Sequence, residues 1–241
     1  MSPTREFDGL VAIVTGGASG IGAATVRLLA ERGAIALSLD RIGGDVDCDV
    51  TDDAQVTRAV AEVVARHGRL DVVINNAGIG ASGRVEDNAD DEWRSVFDVN
   101  VLGVMRVSRA ALPQLKLSPA ASIVNTCSVV AGTGLVNRAL YSASKGALES
   151  LTRAMAADLI ADHVRVNAVS PGTAATPWVD RLVASADDPI AARAALIARQ
   201  PIGRLVTADE IAFGIAYLAS PLAGSTTGTV LPIDGGLHSL R

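Results

Sequence analysis

Tyr141 and Lys145 are the residues whose types and spacing most directly suggest chemistry. They lie four positions apart, and the 241-residue chain contains only two tyrosines and two lysines. On an α-helix this spacing places both side chains on one face, with the ammonium beside the phenol. A held positive charge favours the phenolate, so the pair could move protons near neutral pH. Ser128 lies thirteen residues before Tyr141.

A glycine-rich segment offers a site for a redox cofactor. The apolar run at residues 11–14 leads into Thr15-Gly16-Gly17-Ala18-Ser19-Gly20-Ile21-Gly22, and a helical pattern follows. Glycines at positions 16, 20 and 22 permit a tight turn, a close approach to a pyrophosphate and close packing of the helix on the sheet. The helix start adds N–H groups and a positive dipole end. The segment therefore predicts dinucleotide binding.

Asp40 ends the second predicted strand, eighteen residues after Gly22. A carboxylate there can accept hydrogen bonds from both ribose hydroxyls of adenosine, and it repels a 2′-phosphate. NAD rather than NADP is therefore the expected cofactor. Arg41 leaves the choice open, because a guanidinium in the next position could pair with a phosphate. A solvated turn residue is the alternative interpretation of Asp40.

The composition excludes several classes of protein. Hydrophobic residues make up 49% and charged residues 20%, enough for a buried core. The net charge of −5 gives no basic surface for nucleic acid, so no nucleic-acid partner is expected. Apolar runs stay below the ~18 residues of a membrane span, and the first ten residues do not resemble a signal peptide. A cytoplasmic protein is expected.

Cysteine and histidine usage predicts neither disulfides nor a metal site. Cys48 and Cys127 are too few for a disulfide framework, and Cys127 is expected to be a small buried hydrophobe. The three histidines, His67, His163 and His238, lack metal-ligand spacing. No metal is therefore assigned.

Strand and helix patterns alternate along the chain. Strands are predicted at residues 10–15, 35–40, 71–75, 122–126, 165–169 and 229–233, and helices at 21–32, 53–66, 90–112, 141–161 and 208–219. Strands that are apolar throughout suit a parallel sheet covered on both faces. The predicted fold is α/β, a single Rossmann-type doubly wound sheet flanked by helices, with residues 1–241 as one domain.

Two segments depart from regular alternation. The strand-like piece at residues 45–50 starts too soon after Asp40 for a crossover helix, so either this strand is vestigial or the helix is lost. Residues 173–201 contain Pro177, Pro189 and a short helical stretch at 190–199. A long insertion after the carboxyl end of a strand predicts a substrate lid.

These residues resemble the short-chain dehydrogenase/reductase family along essentially the whole chain. The resemblance rests on the glycine-rich turn, Asp49-Val50, Asn75-Asn76-Ala77-Gly78, the set Asn100, Ser128, Tyr141 and Lys145, Pro171-Gly172 with Thr176-Pro177, and Ile233-Asp234-Gly235-Gly236. It implies NAD binding by Gly16, Ser19, Gly20, Ile21, Gly22, Asp40, Arg41, Asp49, Val50, Asn76, Ala77, Gly78, Tyr141, Lys145, Pro171, Gly172, Ala174 and Thr176.

The resemblance also implies the catalytic roles. Tyr141 would be the acid/base, Lys145 would support it and bind the nicotinamide ribose, and Ser128 would hold the substrate oxygen. Asn100 would distort its helix and hold a water that relays protons to Lys145. From the residues alone, Asn100 is a poor helix former that reads as a surface residue.

Arg138 and Arg199 are the candidates for substrate recognition, because arginine binds carboxylates through two parallel hydrogen bonds. The segments at 135–141 and 197–204 resemble a subgroup that oxidises small hydroxy acids, including 2-keto-3-deoxy-L-fuconate dehydrogenase and the cytosolic 3-hydroxybutyrate dehydrogenase. The chain departs from that subgroup where Leu182 replaces a further arginine. Trp178 could present an aromatic wall to a ring substrate. Surface salt bridges are the alternative interpretation of both arginines.

The predicted function is therefore NAD-dependent oxidation of a small hydroxy acid or sugar acid. Alternatives are a dehydrogenase of an uncharged polyol, cyclic alcohol or hydroxysteroid, an NADP-linked ketoacyl reductase, and a non-catalytic NAD-binding regulator. The resemblance also implies a homo-oligomer, a tetramer or a dimer, paired through the predicted helices at 90–112 and 141–161, with residues 237–241 at a second interface.

Overall fold

The computed structural model describes residues 5–240. Expectations that concern the first four residues and Arg241 therefore lie outside the described residues. The strands are β1 (Val11–Thr15), β2 (Ile35–Asp40), β3 (Val46–Asp47), β4 (Val72–Asn75), β5 (Ser122–Thr126), β6 (Arg165–Pro171), β7 (Ala174–Ala175), β8 (Val206–Thr207) and β9 (Val230–Ile233). The α-helices are α1 (Gly20–Glu31), α2 (Asp53–His67), α3 (Asp90–Phe97), α4 (Gly103–Leu115), α5 (Ala139–Leu159), α6 (Pro177–Ala184), α7 (Pro189–Ala198) and α8 (Ala208–Ala219).

A parallel sheet in the order β3-β2-β1-β4-β5-β6-β9 forms the centre of the molecule. Strands β1, β4 and β5 are buried along their whole length, as apolar runs covered on both faces should be. One face packs on α2, α4 and α5, and the other on α1 and α8. The predicted doubly wound fold is confirmed. Its strand order reverses direction between β1 and β4, which opens a crevice at the carboxyl ends of these strands.

The connection after β2 contains no helix, and the strand that follows is only two residues long. Strand β3 pairs in parallel with β2, with Leu39 opposite Val46. Asp45 closes the turn between them, because its carboxylate accepts hydrogen bonds from the Ser38 N–H at 2.8 Å and the Ser38 hydroxyl at 2.7 Å. The two alternatives predicted for this connection are therefore both found: the strand is vestigial, and the crossover helix is absent.

The predicted helix at residues 90–112 is interrupted. A π-helical segment, Asp98–Leu102, separates α3 from α4. Periodicity did not show this break, because apolar residues face the core on both sides of it, at Val96 before the π-helical segment and at Val104 and Val107 after it.

Residues 173–201, the segment predicted to be a substrate lid, contain β7, α6 and α7. The two lid helices share a small apolar cluster that includes Val179, Val183 and Leu196. At the base of the lid, β7 pairs with β8. Gln200 donates hydrogen bonds to the carbonyl of Thr173 at 3.2 Å and to that of Arg204 at 2.8 Å. The lid is therefore a self-packed unit attached at both ends to the body.

A fully buried carboxylate ties together the amino-terminal ends of the strands. Asp71 accepts hydrogen bonds from the Val11 N–H at 2.9 Å, from the Arg69 guanidinium at 2.7 and 2.8 Å, and from the Ser118 hydroxyl at 2.5 Å. Burial acts to raise the pKa of Asp71, but the hydrogen bonds from these three partners outweigh it and hold the pKa below its ordinary value.

We expect Asp71→Asn to lower the free energy of unfolding at neutral pH by about 3 kcal/mol, because it breaks a buried ion pair. A carboxyl whose pKa is depressed by folding contributes stability above its unfolded pKa of about 3.9, and this share is lost as pH falls towards the folded value. The difference between the variant and the parent should therefore shrink below pH 4 in urea unfolding. Asp91→Asn, on an exposed side chain, is the control. A difference that does not change with pH would contradict this account.

Candidate active site

A cavity of about 1290 Å³ lies along the carboxyl edge of the sheet, at the crevice between β1 and β4. All the predicted substrate residues line it, and so do the predicted cofactor residues except Gly22. Of the four predicted catalytic residues, Ser128, Tyr141 and Lys145 line the cavity, whereas Asn100 lies behind its wall. The residues singled out from the sequence therefore meet at one place.

The glycine-rich turn has the backbone that its sequence requires. Gly16 and Gly20 have φ values of 63° and 54°, in the left-handed region that side chains other than glycine rarely adopt. A Cβ atom on Gly22 would lie 2.1 Å from the Gly16 carbonyl oxygen. Gly22 is thus a packing residue behind the turn, which explains why it does not line the cavity.

The turn is fastened to the end of β4 by two polar side chains. The Asn76 amide donates hydrogen bonds to the carbonyls of Thr15 at 3.0 Å and Gly16 at 3.2 Å. In return, the Thr15 hydroxyl accepts from the N–H groups of Asn76 and Ala77, both at 3.0 Å. The sequence placed Thr15 at the start of the turn but indicated no role for its side chain, since a threonine at the end of a strand gives no functional signal by itself.

Asp40 lies at the far end of the cavity with its carboxylate directed at the turn. It accepts hydrogen bonds from the Ala18 N–H at 3.1 Å and from the Arg41 N–H at 2.8 Å. Asp40 is half-buried, so it is not a solvated turn residue. The exposed Arg41 guanidinium lies 3.9 Å from the carboxylate of Asp49. The Arg41 side chain is therefore directed towards Asp49 and not towards Asp40.

The Tyr141–Lys145 pair lies at the opposite end. Lys145 is buried, its Nζ donates to the Thr126 carbonyl at 2.8 Å, and it lies 5.8 Å from the centroid of the Tyr141 ring. Ser128 lies two residues after the end of β5, where its hydroxyl accepts a hydrogen bond from the Val130 N–H at 3.4 Å. A buried ammonium, a phenol and a hydroxyl thus share one end of the cavity.

Asn100 is fully buried in the π-helical segment, so the interpretation of it as a surface residue is wrong. Its amide donates to the carbonyl of Ile79 at 2.9 Å and to the Ser144 hydroxyl at 3.1 Å, and its Oδ1 accepts from the Ile79 N–H at 2.8 Å. These bonds hold the loop after β4 against α5. A Cβ atom on Gly78 would lie 3.2 Å from Asn100 Oδ1 and 3.4 Å from Lys145 Nζ.

Arg138 does not form the surface salt bridge that was the alternative interpretation. It is half-buried, and one guanidinium nitrogen donates to the Ala81 carbonyl at 2.9 Å and the Ser82 hydroxyl at 2.5 Å. Burial lowers the pKa of Arg138 below its ordinary value, and the positive charge of Arg199 lowers it further. The Arg199 side chain forms no ion pair or hydrogen bond with the described residues. Two guanidiniums thus line the cavity without a carboxylate partner in the described chain.

Trp178 lies across the cavity at the start of the lid. A Cβ atom on Gly80 would lie 2.5 Å from Cζ2 of its indole ring. The neighbouring lid residue Thr176 faces the glycine-rich turn, since a Cβ on Gly20 would lie 3.5 Å from Thr176 Cγ2. The first residues of the lid therefore span the cavity between the turn and the loop after β4.

Comparison with known proteins decides the family. A family model described as enoyl-(acyl carrier protein) reductase matches residues 16–238. Cis-4-hydroxycyclohexanecarboxylate dehydrogenase of Sinomonas cyclohexanicum is 40% identical, over 96% of this chain and 98% of its own length. The chain belongs to the short-chain dehydrogenase/reductase family. The expectation of this family from the sequence is confirmed.

Other members of the short-chain dehydrogenase/reductase family agree in sequence and fold. L-Fucose dehydrogenase of Bos taurus is 36% identical over 98% of this chain and 92% of its own. The ligand-free aldohexose dehydrogenase of Thermoplasma acidophilum superposes with a TM-score of 0.92 at 33% identity, covering 99% of this chain and 97% of its own. As a member of this family, the protein is an oxidoreductase that acts on CH–OH groups with a nicotinamide cofactor.

The two cysteines of this short-chain dehydrogenase/reductase are buried. Burial raises the pKa of Cys127 to about 12 and that of Cys48 to about 11, so both are thiols rather than nucleophilic thiolates. Residues 5–240 contain no group of three His, Cys, Asp or Glu side chains suited to a metal ion. Within the same residues, no helix has the length and apolar character needed to cross a membrane.

Proposed function

We propose that the protein is an NAD-dependent dehydrogenase of a secondary alcohol that carries a carboxylate, a small hydroxy acid or sugar acid. The observation that carries this proposal is the pair of guanidiniums, Arg138 and Arg199, at the cavity without a carboxylate partner among the described residues. A half-buried guanidinium next to a second one gains most from an anion that bridges them. A carboxylate has the planar geometry that each guanidinium binds.

The geometry of Arg138 supports a role in binding an anionic substrate, in addition to its contacts with the loop at 81–82. A single nitrogen, Nη1, donates both of its hydrogen bonds, one to the Ala81 carbonyl and one to the Ser82 hydroxyl. The contact fixes the side chain and leaves Nε and Nη2 without a partner among the described residues. A guanidinium held in this way loses little further freedom on binding an anion. Trp178, on the lid, adds an apolar wall for the carbon skeleton.

The residues of the cavity fit a bound dinucleotide. The turn at Gly16 and Gly20 presents backbone N–H groups at the start of α1, the position where a pyrophosphate is bound most readily. Asp40 would accept hydrogen bonds from the adenosine ribose, and its charge would disfavour a 2′-phosphate. The same proposal assigns cofactor contacts to Ser19, Ile21, Arg41, Asp49, Val50, Asn76, Ala77, Gly78, Pro171, Gly172, Ala174 and Thr176, which line the cavity.

Each catalytic residue then has a separate role in the proposed reaction. Bound NAD would supply the hydride acceptor for the carbinol carbon of the substrate. Ser128 holds the substrate oxygen beside Tyr141, and Tyr141 as phenolate takes the hydroxyl proton. The Lys145 ammonium stabilises the phenolate and passes protons onward. Asn100 supports these residues from behind the cavity wall. Its hydrogen bonds to Ile79 and Ser144 fix the position of the loop after β4 relative to α5.

Cofactor preference can be tested at Asp40. We expect Asp40→Ser to raise the ratio of kcat/KM for NADP to that for NAD about 100-fold, because a like charge facing a 2′-phosphate costs several kcal/mol. Steady-state kinetics with both cofactors measures the ratio. Asp47→Ser, an exposed carboxylate on the neighbouring strand β3, should leave it unchanged. A ratio within threefold of the parent after Asp40→Ser would contradict NAD selection by this residue.

An uncharged cyclic alcohol is the second candidate substrate. The position of Trp178 favours it, because an indole ring at the lid offers an apolar face to a ring substrate. Some relatives are named for uncharged substrates, such as the meso-2,3-butanediol dehydrogenase of Serratia marcescens, 36% identical over 96% of this chain and 95% of its own. A panel of hydroxy acids, sugar acids, polyols and cyclic alcohols separates the two. Oxidation of uncharged alcohols alone would replace the acid proposal.

A further inference from the structure

Thr126, the last residue of β5, contains a buried hydroxyl that none of the described residues satisfies. The residue is 7% exposed, and its Oγ1 has no hydrogen-bond partner among the described residues. It lines the large cavity, and its backbone carbonyl accepts the hydrogen bond from Lys145. An unpaired polar group thus lies directly against the catalytic end of the site.

A threonine at this position works against stability. A buried hydroxyl without a partner carries a desolvation cost that a valine of the same shape would avoid. Valine also suits a β-strand, and valines occupy the neighbouring buried positions Val124 and Val169. Native proteins leave few buried polar groups unsatisfied, and functional sites are among the places where they do so.

The alternation of the strand places the Thr126 side chain on the face of the sheet that is covered by α8 and by α1, the helix that starts at the glycine-rich turn. Val124, two residues earlier, packs in the layer of α1 and α8, so Thr126 lies on that face. Asn125 lies on the other face, where its amide donates to the Thr152 hydroxyl of α5 at 2.9 Å. In the adjacent strand, Thr126 is level with Val169, two residues before Pro171, where the proposed nicotinamide stretch begins.

We infer that the Thr126 hydroxyl is a cofactor-binding group whose hydrogen-bond partner is the nicotinamide half of the dinucleotide. Thr126 borders the Tyr141 end of the cavity, whereas Asp40 marks the adenosine end. Rotation about χ1 exchanges the hydroxyl and methyl groups with little change in shape, so Oγ1 can turn to the ligand without repacking. This inference rests on the proposed NAD dependence.

The test compares Thr126→Val with the parent in calorimetric titrations of NADH and of ADP-ribose, which lacks the nicotinamide. We expect the Kd for NADH to rise about fivefold, the value of a neutral hydrogen bond, and the Kd for ADP-ribose to stay within twofold. The urea midpoint without ligand should be equal or higher. Thr152→Val, whose hydroxyl already bonds to Asn125 and to Leu148, is the control, with an expected lower midpoint.

Three results would overturn the inference: an unchanged Kd for NADH, equal weakening of NADH and ADP-ribose, or a lower midpoint in the ligand-free Thr126→Val protein. The last would mean that the hydroxyl already has a partner in the free state. If the parent binds NADPH and not NADH, the proposed cofactor preference fails. The same comparison with NADPH and 2′-phospho-ADP-ribose then still decides the role of Thr126.

Discussion

Tyr141→Phe is expected to lower kcat for alcohol oxidation about 1,000-fold, since proton transfer by a positioned side chain contributes 10²- to 10⁴-fold. The substitution removes only the phenolic oxygen, and the ring keeps its packing against the clusters that contain Leu140 and Leu237. The Kd for NADH should therefore stay within about threefold of the parent value. Initial rates and calorimetric titration on the same preparation measure the two quantities.

Tyr217→Phe provides a matched control, because Tyr217 is the only other tyrosine and lies exposed on α8. It should retain parental kcat. If Tyr141→Phe kept more than a tenth of the parental kcat while chemistry limited the rate, Tyr141 could not be the acid/base. Loss of NADH binding together with activity would instead point to a structural role for the phenol.

Arg199→Ala is expected to lower kcat/KM for a carboxylate-bearing alcohol about 100-fold and to leave an uncharged alcohol of the same skeleton nearly unaffected. Removal of one partner from a buried charge pair costs 2–5 kcal/mol, and here that loss would apply only to the anionic substrate. Arg199 is the better position for this test, because its side chain has no hydrogen-bond or ion-pair partner within the described chain. Arg138 also forms hydrogen bonds with Ala81 and Ser82, so its removal would affect the structure as well. Arg138→Ala should have the same selectivity, with an additional loss of stability.

Arg193→Ala controls for a change of charge on the lid. Arg193 lies on α7, but it is paired with Asp180 at 3.0 Å and does not line the cavity. Its removal should change kcat/KM for both substrates by less than threefold. An equal loss for charged and uncharged alcohols after Arg199→Ala would refute carboxylate recognition and favour a role in positioning the lid.

The sequence predicted most of the parallel sheet, because buried strands in such sheets are continuous apolar runs. Strands β2 and β5 have the predicted bounds, and β6 extends the predicted one by two residues. The π-helical break could not be predicted, since it depends on Asn100 bonding across space to Ile79 and Ser144. Such contacts join residues that are far apart in the chain, and local periodicity contains no information about them.

In the site too, local features could be predicted from the sequence, and features that depend on contacts between distant residues could not. Type and spacing were enough to group Tyr141 with Lys145 on one helix face, because that geometry is local. The environment of Arg138 was not predictable, since it depends on the loop at 81–83 being paired with the turn before α5. Thr126 gave no signal either. A threonine is ordinary in a strand, and only the absence of a partner in three dimensions distinguishes it.

The position of Trp178 against Gly80 has an optical consequence. The chain contains two tryptophans, and the other, Trp93, stacks on Phe97 at 6.2 Å in the cluster that borders Tyr141. Both indoles therefore lie close to the same cavity, and reduced nicotinamide absorbs light at the wavelengths where tryptophan emits. The protein contains its own reporter: in a Trp93→Phe background, energy transfer from Trp178 would follow the arrival of the cofactor in real time.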